Sequence, residues 1–322
     1  MTRLCASAWA CPKEITNEVR NMKPVERGIY PMLYAFFDQR GAIDRQAMQQ
    51  QVRAAVTSGA HGLAVLGLGT EVNKLSALER RQIVEWVATE LDGRLPLSVT
   101  VSEPTVQAAV DEARFAQSLG ASFIVLQPPP ATTVTEEEQI LFFGGIADQL
   151  DVPVAIQNAP QYLGVGLSLE GITALSSRSP NVSVVKAEGS ALFVRRLYEQ
   201  TQGRLAIFNG RCGLELTDNL RAGCHGMIPG IESVDIQARI YNLMQSGAAA
   251  DEAEAERLYA DILPMIVFMI QSIDSFICYG KRIAARRLGL GTVYDREPAL
   301  APDAQGLQWS ARLSAGLKPF EI

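Results

Sequence analysis

The stretch "LPLSVTVSEPTVQAAVDEARFAQSLGASFIVLQ", Leu95 to Gln127, decides the fold. Its opening run (95–101) and its closing run (122–127) are apolar and rich in β-branched residues, the composition of buried strands. Between them apolar residues recur with a helical period, and Pro104 stands where the first turn of a helix needs no amide donor. A strand, a helix and a second strand in this spacing make one βαβ unit, which implies parallel strands.

Working outward, the same alternation continues in both directions. Apolar runs occur at "IYPMLYA" (29–35), "GLAVLG" (62–67), "PVAIQ" (153–157), "VSVVK" (182–186), "LAIF" (205–208) and "GMIPG" (226–230), making eight in all. The segments between them carry helix ends. Asp44 precedes a stripe of Met48, Val52, Ala55 and Val56 that Gly59 stops, and Ser76 with Glu79 and Thr135 with Glu138 have capping-box spacing. Eight strand-helix units in about 220 residues predict a (β/α)8 TIM barrel, an α/β fold, with an appended C-terminal helical region. The expected organisation is an N-terminal extension over 1–25, with a native start at Met22, a barrel over 26–235 and C-terminal helices over 236–322.

Composition narrows the function. The 322 residues are 48% hydrophobic and carry a net charge of -6, so no basic face is available for a phosphate backbone. No stretch approaches the roughly 20 apolar residues that cross a bilayer. Nucleic acid and membrane are therefore not expected partners. Five cysteines (Cys5, Cys11, Cys212, Cys224, Cys278) without a C-x-x-C pair fit a reducing compartment, and the expected location is the cytoplasm. His61 and His225 precede strands two and eight, at the barrel end away from chemistry, so no catalytic metal is expected.

Barrel enzymes place their chemistry at the C-terminal ends of the strands. In "NVSVVKAEGS" (181–190), two-residue alternation puts Lys186 on one face with Val182 and Val184, pointing inward. A partly dehydrated pocket favours the uncharged amine, which can attack a ketone and form an iminium. Glu188, two residues on, shares that face if the strand continues, and either moves protons or pairs with the resting ammonium. The turn Gly67 to Thr70 lets backbone N–H groups approach an anion, with the Thr70 hydroxyl as an extra donor, or is a plain tight turn. Its third glycine is absent from the G-x-G-x-x-G pattern, so no dinucleotide site is expected.

Several stretches also match a known family in order. "RGIYPMLYAFFDQRGAID" stands for its first strand and loop, and "GLGTEVNKLSALERRQIVE" for its G-T/S-T-G-E segment. "PVAIQNAP" is similar to its "YN-x-P" segment, "VVKAEGS" to its I-K-[ED] strand, and "FNGRCGLELTDNLRAGCHGMIP" to its "G-x-D…L-x-x-G-x-x-G-x-I" region. On these motifs, residues 28 to about 290 resemble the dihydrodipicolinate synthase and N-acetylneuraminate lyase family of class I, pyruvate-binding (β/α)8 enzymes. The resemblance implies that Lys186 forms an imine with a 2-oxo acid, that no cofactor beyond the lysine is needed, and that the chain forms a homo-oligomer, a tetramer or a dimer.

The departures from the family are equally specific. Pro130 stands where the family carries a proton-relaying tyrosine, its threonine pair becomes Leu68 and Gly69, and Tyr162 replaces the arginine that follows "YNVPSR". Proline has no proton to give. Glu188 is the candidate replacement, with Tyr162 and Tyr34 as further hydroxyls. Asn158 either binds substrate or closes its own loop. Arg211 either holds a second acid group or lies in solvent, Cys212 is expected as a packing residue, and "GKRIAARR" (280–287) as a solvated helix flank.

The expected activity is a Schiff-base-forming lyase, an aldolase or a dehydratase, acting on a 2-oxo acid such as pyruvate or a 2-keto-3-deoxy sugar acid. Lys186, Thr70 and Glu188 are the catalytic candidates, and Gly67, Gly69, Asn158, Tyr162, Arg211 and Gly230 the substrate-binding ones. The "QNAP" and "KAE" stretches look closer to the family's dehydratases than to its synthases. The alternatives are a dihydrodipicolinate synthase with a displaced relay, or a non-catalytic 2-oxo-acid-binding paralogue.

Overall fold

The computed structural model describes residues 24–130 and 134–322, so the expected extension falls, up to residue 23, outside the described residues. Eight parallel strands form the sheet: β1 (Gly28–Ile29), β2 (Leu63–Val65), β3 (Leu97–Val101), β4 (Phe123–Leu126), β5 (Val154–Asn158), β6 (Val182–Ala187), β7 (Ala206–Asn209) and β8 (Gly226–Met227). Their order is β1-β8-β7-β6-β5-β4-β3-β2. Met32 closes the ring between β1 and β2, bridging Ala64 on one side and Gly230 on the other. The fold is a (β/α)8 barrel.

The first and last strands are shorter than expected, and each run contains a proline. Pro31 and Pro229 have no N–H to give a ladder, so the regular pairing stops at Ile29 and Met227 and continues as single bonds such as Met32 N to Pro229 O, 2.6 Å. Helix ends follow their caps. Asp44 accepts from Ala47 N, Gly59 takes φ +74° after the helix Arg45–Thr57, and both capping boxes are formed. Pro104 corrects one expectation: the helix Val106–Ser118 begins at Thr105, whose hydroxyl accepts from Ala108 N, so the proline lies before the cap.

Two apolar layers hold the barrel. The outer one packs helices on the sheet, while the inner one fills the barrel with Tyr30, Met32, Phe123, Val125, Val184 and Phe208 among others. Ring pairs of Tyr30 with Phe208 (5.3 Å) and Phe123 (5.8 Å) plug its lower half, so the interior is a core and not a pore. His225 lies at this lower end, pushed down to about 4 by burial and then by Arg27.

The C-terminal chain begins with the helix Val234–Gln245, which runs through the expected 235/236 boundary, and continues as Ala249–Met269, a π-turn at Phe276–Gly280, Lys281–Arg287 and Ala304–Leu313. The segment 280–287, expected as solvated, is largely buried. Lys281 is fully buried and pairs with Glu71, which also holds Lys74 at 2.7 Å. Arg287 grips Asp235 through two 2.8 Å bonds and stacks over Phe320 at 3.8 Å. These buried charges persist because each has a carboxylate partner contributed by a distant part of the chain. They fasten the C-terminal helices to the end of the barrel where the strands point. Among the described residues no single helix is long and apolar enough to cross a membrane.

Candidate active site

β6 delivers the central amine with one irregularity. The register pairs Val154 with Val182 but Ala155 with Val184, so Ser183 is the extra residue. Val184 consequently joins the inner layer while Val182 joins the outer one, which corrects the expectation that both share the face of Lys186. Beyond the bulge, alternation holds. Lys186 sits opposite Gln157 of β5 and Phe208 of β7, directly above the aromatic plug.

Glu188 continues the same face, since its N–H still bonds Asn158 O at 3.0 Å after the strand ends. Its Oε1 lies 3.0 Å from Lys186 Nζ, and both residues are only 5% exposed. The same oxygen accepts from Gln157 Nε2 at 2.6 Å, and Gln157 Oε1 in turn accepts from Gln127 Nε2 at 3.1 Å. A Cβ on Gly210 would come within 2.9 Å of the Glu188 carboxyl carbon, so the bare backbone there makes room for the carboxylate.

Lys186 and Glu188 line a cavity of about 30 Å³ together with Gly69, Arg211, Gly230 and Phe276. Its roof comes from the C-terminal helices through Ile270, Ile273 and Phe276. Five of the nine site residues expected from sequence thus meet at one place. Arg211 Nη1 bonds Gly189 O (3.0 Å) and Glu215 Oε2 (2.8 Å), inside a loop where Arg211, Cys212 and Glu215 all take positive φ.

The other four lie beside it. Thr70 is buried with its hydroxyl donating to Leu33 O at 2.6 Å, so its proton serves the join between β1 and β2 rather than an anion. Gly67 accepts from Thr70 N and packs against Met32. The N–H groups of Leu68 and Gly69, at the start of that turn, have no partner among the described residues. Asn158 spends its amide on Leu167, with bonds of 2.8 and 3.0 Å, and closes its own loop. Tyr162 is half-buried, its phenol pushed up by burial and by Glu188 while the neighbouring Arg211 opposes the rise. Cys212 is buried, and that burial raises its thiol well above the usual range.

Sequence reading missed three features. Gln127 and Gln157 end apolar runs, where a polar residue looks like the start of a loop; the signal was their inward register beside Lys186. Tyr34, expected from sequence as a further hydroxyl for the site, instead donates to Glu232 Oε2 at 2.8 Å behind Gly230, a pairing no spacing announced, and burial pushes Glu232 up to about 7. Lys281 with Glu71 completes the list. Among the described residues no group of three or more His, Cys, Asp or Glu side chains is arranged to hold a metal ion.

A buried lysine-carboxylate pair at the C-terminal mouth of a barrel has the groups to form an imine and move its protons. A "Probable 2-dehydro-3-deoxy-D-pentonate aldolase" of Escherichia coli is 26% identical over 257 residues, covering 78% of this chain and 85% of that protein. The 4-hydroxy-tetrahydrodipicolinate synthase of Methanopyrus kandleri is 26% identical over 242 residues, 74% of this chain and 79% of its own. Among solved structures, the sialic acid aldolase of Ruminococcus gnavus superposes with a TM-score of 0.80 at 22% identity, over 90% of this chain and 97% of its own, a likeness of fold. The profile of the dihydrodipicolinate synthetase family matches residues 26–312, and the chain belongs to that family of class I lysine-imine lyases.

Proposed function

We propose that Lys186 is the imine-forming lysine of this lyase and Glu188 its proton carrier, acting on pyruvate or a 2-keto-3-deoxy sugar acid. The observation that carries the reading is the 3.0 Å pair of Lys186 Nζ and Glu188 Oε1 on the cavity wall. The ammonium passes a proton to Glu188 and the freed amine attacks the C2 carbonyl of the 2-oxo acid. Glu188 returns the proton to the carbinolamine hydroxyl, which leaves as water, and the iminium remains. That cation then accepts the electron pair of a breaking C3–C4 bond while Glu188 takes the C4 hydroxyl proton and leaves a C4 carbonyl, or accepts the pair of a C3–H bond whose proton goes to Glu188, after which the enamine expels the C4 hydroxyl, which leaves as water with that proton.

The unpartnered N–H groups of Leu68 and Gly69 support a role for this turn in holding the substrate carboxylate, with Gly67 and Thr70 shaping it. Arg211 and Tyr162 suit the far end of the substrate, where the guanidinium favours a second acid group. The similarity to a relative named as a sugar-acid aldolase supports this substrate class. The scattered cysteines and the family's habits support a cytoplasmic homo-oligomer, a dimer or tetramer, that needs no cofactor besides its lysine.

Borohydride reduction in the presence of pyruvate tests the assignment, read by intact mass and peptide mapping. The adduct is expected on the peptide bearing Lys186 and is expected to vanish in Lys186→Ala. An adduct on another lysine, or none, would overturn it.

A further inference from the structure

We propose that Gln157, aimed by Gln127, is a positioning residue that fixes which oxygen of Glu188 handles protons during imine chemistry. The inference rests on the roles given above to Lys186 and Glu188.

The three residues form a directed row across β4, β5 and the end of β6. Leu126 pairs with Ile156 and Gln157 with Lys186, so the register brings Gln127, Gln157 and Lys186 side by side on the inner face. Gln127 and Gln157 are 4% and 2% exposed, which leaves little water to compete. Chemistry sets the direction. An ionised carboxylate only accepts, so Glu188 must face the amide N–H of Gln157. The carbonyl end of Gln157 is then turned to the other side, where it needs a donor, and Gln127 Nε2 supplies it at 3.1 Å. One orientation of each amide satisfies the row, and the reverse orientation would set oxygen against oxygen.

The consequence lies in the two oxygens of Glu188. Gln157 Nε2 at 2.6 Å and Lys186 Nζ at 3.0 Å converge on Oε1. No bond to Oε2 is present among the described residues, and it rests beside Gly210, 3.0 Å from where a Cβ would stand, on the cavity wall. Oε1, which takes the proton of the resting ammonium, is therefore the anchored oxygen, and Oε2 is the one with lone pairs free for the later proton transfers. Anchoring by Gln157 also keeps Glu188 oriented once the imine forms and the three N–H donors of the ammonium are reduced to the single N–H of the iminium. Without the amide, a carboxylate held by that one donor is freer to rotate during the later proton transfers.

Two measurements on the full chain separate binding from proton handling. Borohydride trapping against pyruvate concentration reports imine formation through its half-saturating concentration. Deuterium wash-in to the pyruvate methyl group in D2O, followed by NMR, reports proton removal from the iminium. Gln157→Leu is expected to leave half-saturation within about twofold and to slow wash-in by about tenfold, a fraction of the roughly 10²–10⁴-fold effect of a general acid–base group, since Glu188 itself is retained. Gln157→Met, which nearly keeps the size but offers no N–H, guards against a folding defect and is expected to slow wash-in similarly. In a Glu188→Gln background, adding Gln157→Leu should change wash-in by less than about twofold, since a residue acting through Glu188 has nothing left to position. Undiminished wash-in in both variants, a parallel loss of trapping and wash-in, or full additivity with Glu188→Gln would each overturn the role. Absence of trapping in the wild-type protein is the distinct result that removes the imine reading itself, and the positioning role with it.

Discussion

Glu232 offers a direct test of the electrostatics behind the cavity. It is fully buried, its Oε2 accepts from Tyr34 and its Oε1 has no partner among the described residues. Burial raises its carboxyl from 4.5 to about 7, against smaller lowering effects that include the Tyr34 bond and Arg287. At 1.36 kcal/mol per unit, a rise of about 2.5 units corresponds to about 3 kcal/mol. The sign follows from proton counts. Between pH 4.5 and 7 the folded protein binds this proton and the unfolded chain does not, so stability falls as pH rises. The contribution is whole below about 4.5 and gone above about 7. Glu232→Gln has nothing to titrate, retains an oxygen for Tyr34 and nearly matches the protonated side chain in shape. Urea unfolding of both proteins at pH 5, 6, 7 and 8 should show the variant gaining about 2.5 kcal/mol on the wild type across that range, the rest of the effect lying below pH 5, with other titrations cancelling in the difference. Parallel stability curves, with a difference constant to within about 0.5 kcal/mol, would falsify the claim that Glu232 is held protonated by burial.

Two further outcomes concern the frame around the site. Lys281→Met should destabilise the protein by about 3 kcal/mol in urea unfolding, because Glu71 stays buried with only Lys74 to pair it, and Glu71→Gln added to that variant should recover part of the loss; equal additive losses would show that the pair does not interact. Thr70→Val should lower stability by about 1–3 kcal/mol by leaving the Leu33 carbonyl without its donor, while pyruvate trapping keeps its half-saturation. A loss of affinity without a loss of stability would return the hydroxyl to the substrate.

The parts legible in the sequence were those governed by local pattern. Apolar runs, capping boxes and the glycine after the helix Arg45–Thr57 depend on neighbours within a few residues, and the structure follows them closely. The inward face of Lys186 and Glu188 was legible because two-residue alternation holds beyond their own strand's bulge. Val182 was not, since one extra residue at Ser183 turns it to the opposite face. The charged segment 280–287 shows the other limit. A run of lysine and arginine reads as solvated until Glu71, 210 residues from Lys281, and Asp235, 52 residues from Arg287, are brought against it. Tyr34 with Glu232 is the same case at 198 residues. No spacing rule connects such partners, because the closing of the barrel brings them together.

That closure also explains why the two carboxylates around the cavity suit different tasks. Glu188 faces an ammonium and an amide donor, both directed at one oxygen, so its charge is compensated where it stands. Glu232 has one hydroxyl donor and an oxygen without a partner, so burial dominates and its neutral form persists towards neutrality. In the proposed reading, an anionic 2-oxo acid beside Lys186 would meet one carboxylate that is already paired, while Glu232, behind Gly230, is mostly neutral at pH 6 and below. The C-terminal helices are part of this arrangement and not only appended to it. Gly280 leaves the space into which the Tyr34 hydroxyl projects, Arg287 bonds the backbone carbonyl of Glu232 at 2.8 Å, and Phe276 both touches the Tyr34 ring and roofs the cavity. Loosening that segment should accordingly disturb the ionisation of Glu232 and the shape of the cavity together, whereas changes confined to the Gln127–Gln157 row should disturb proton transfer alone.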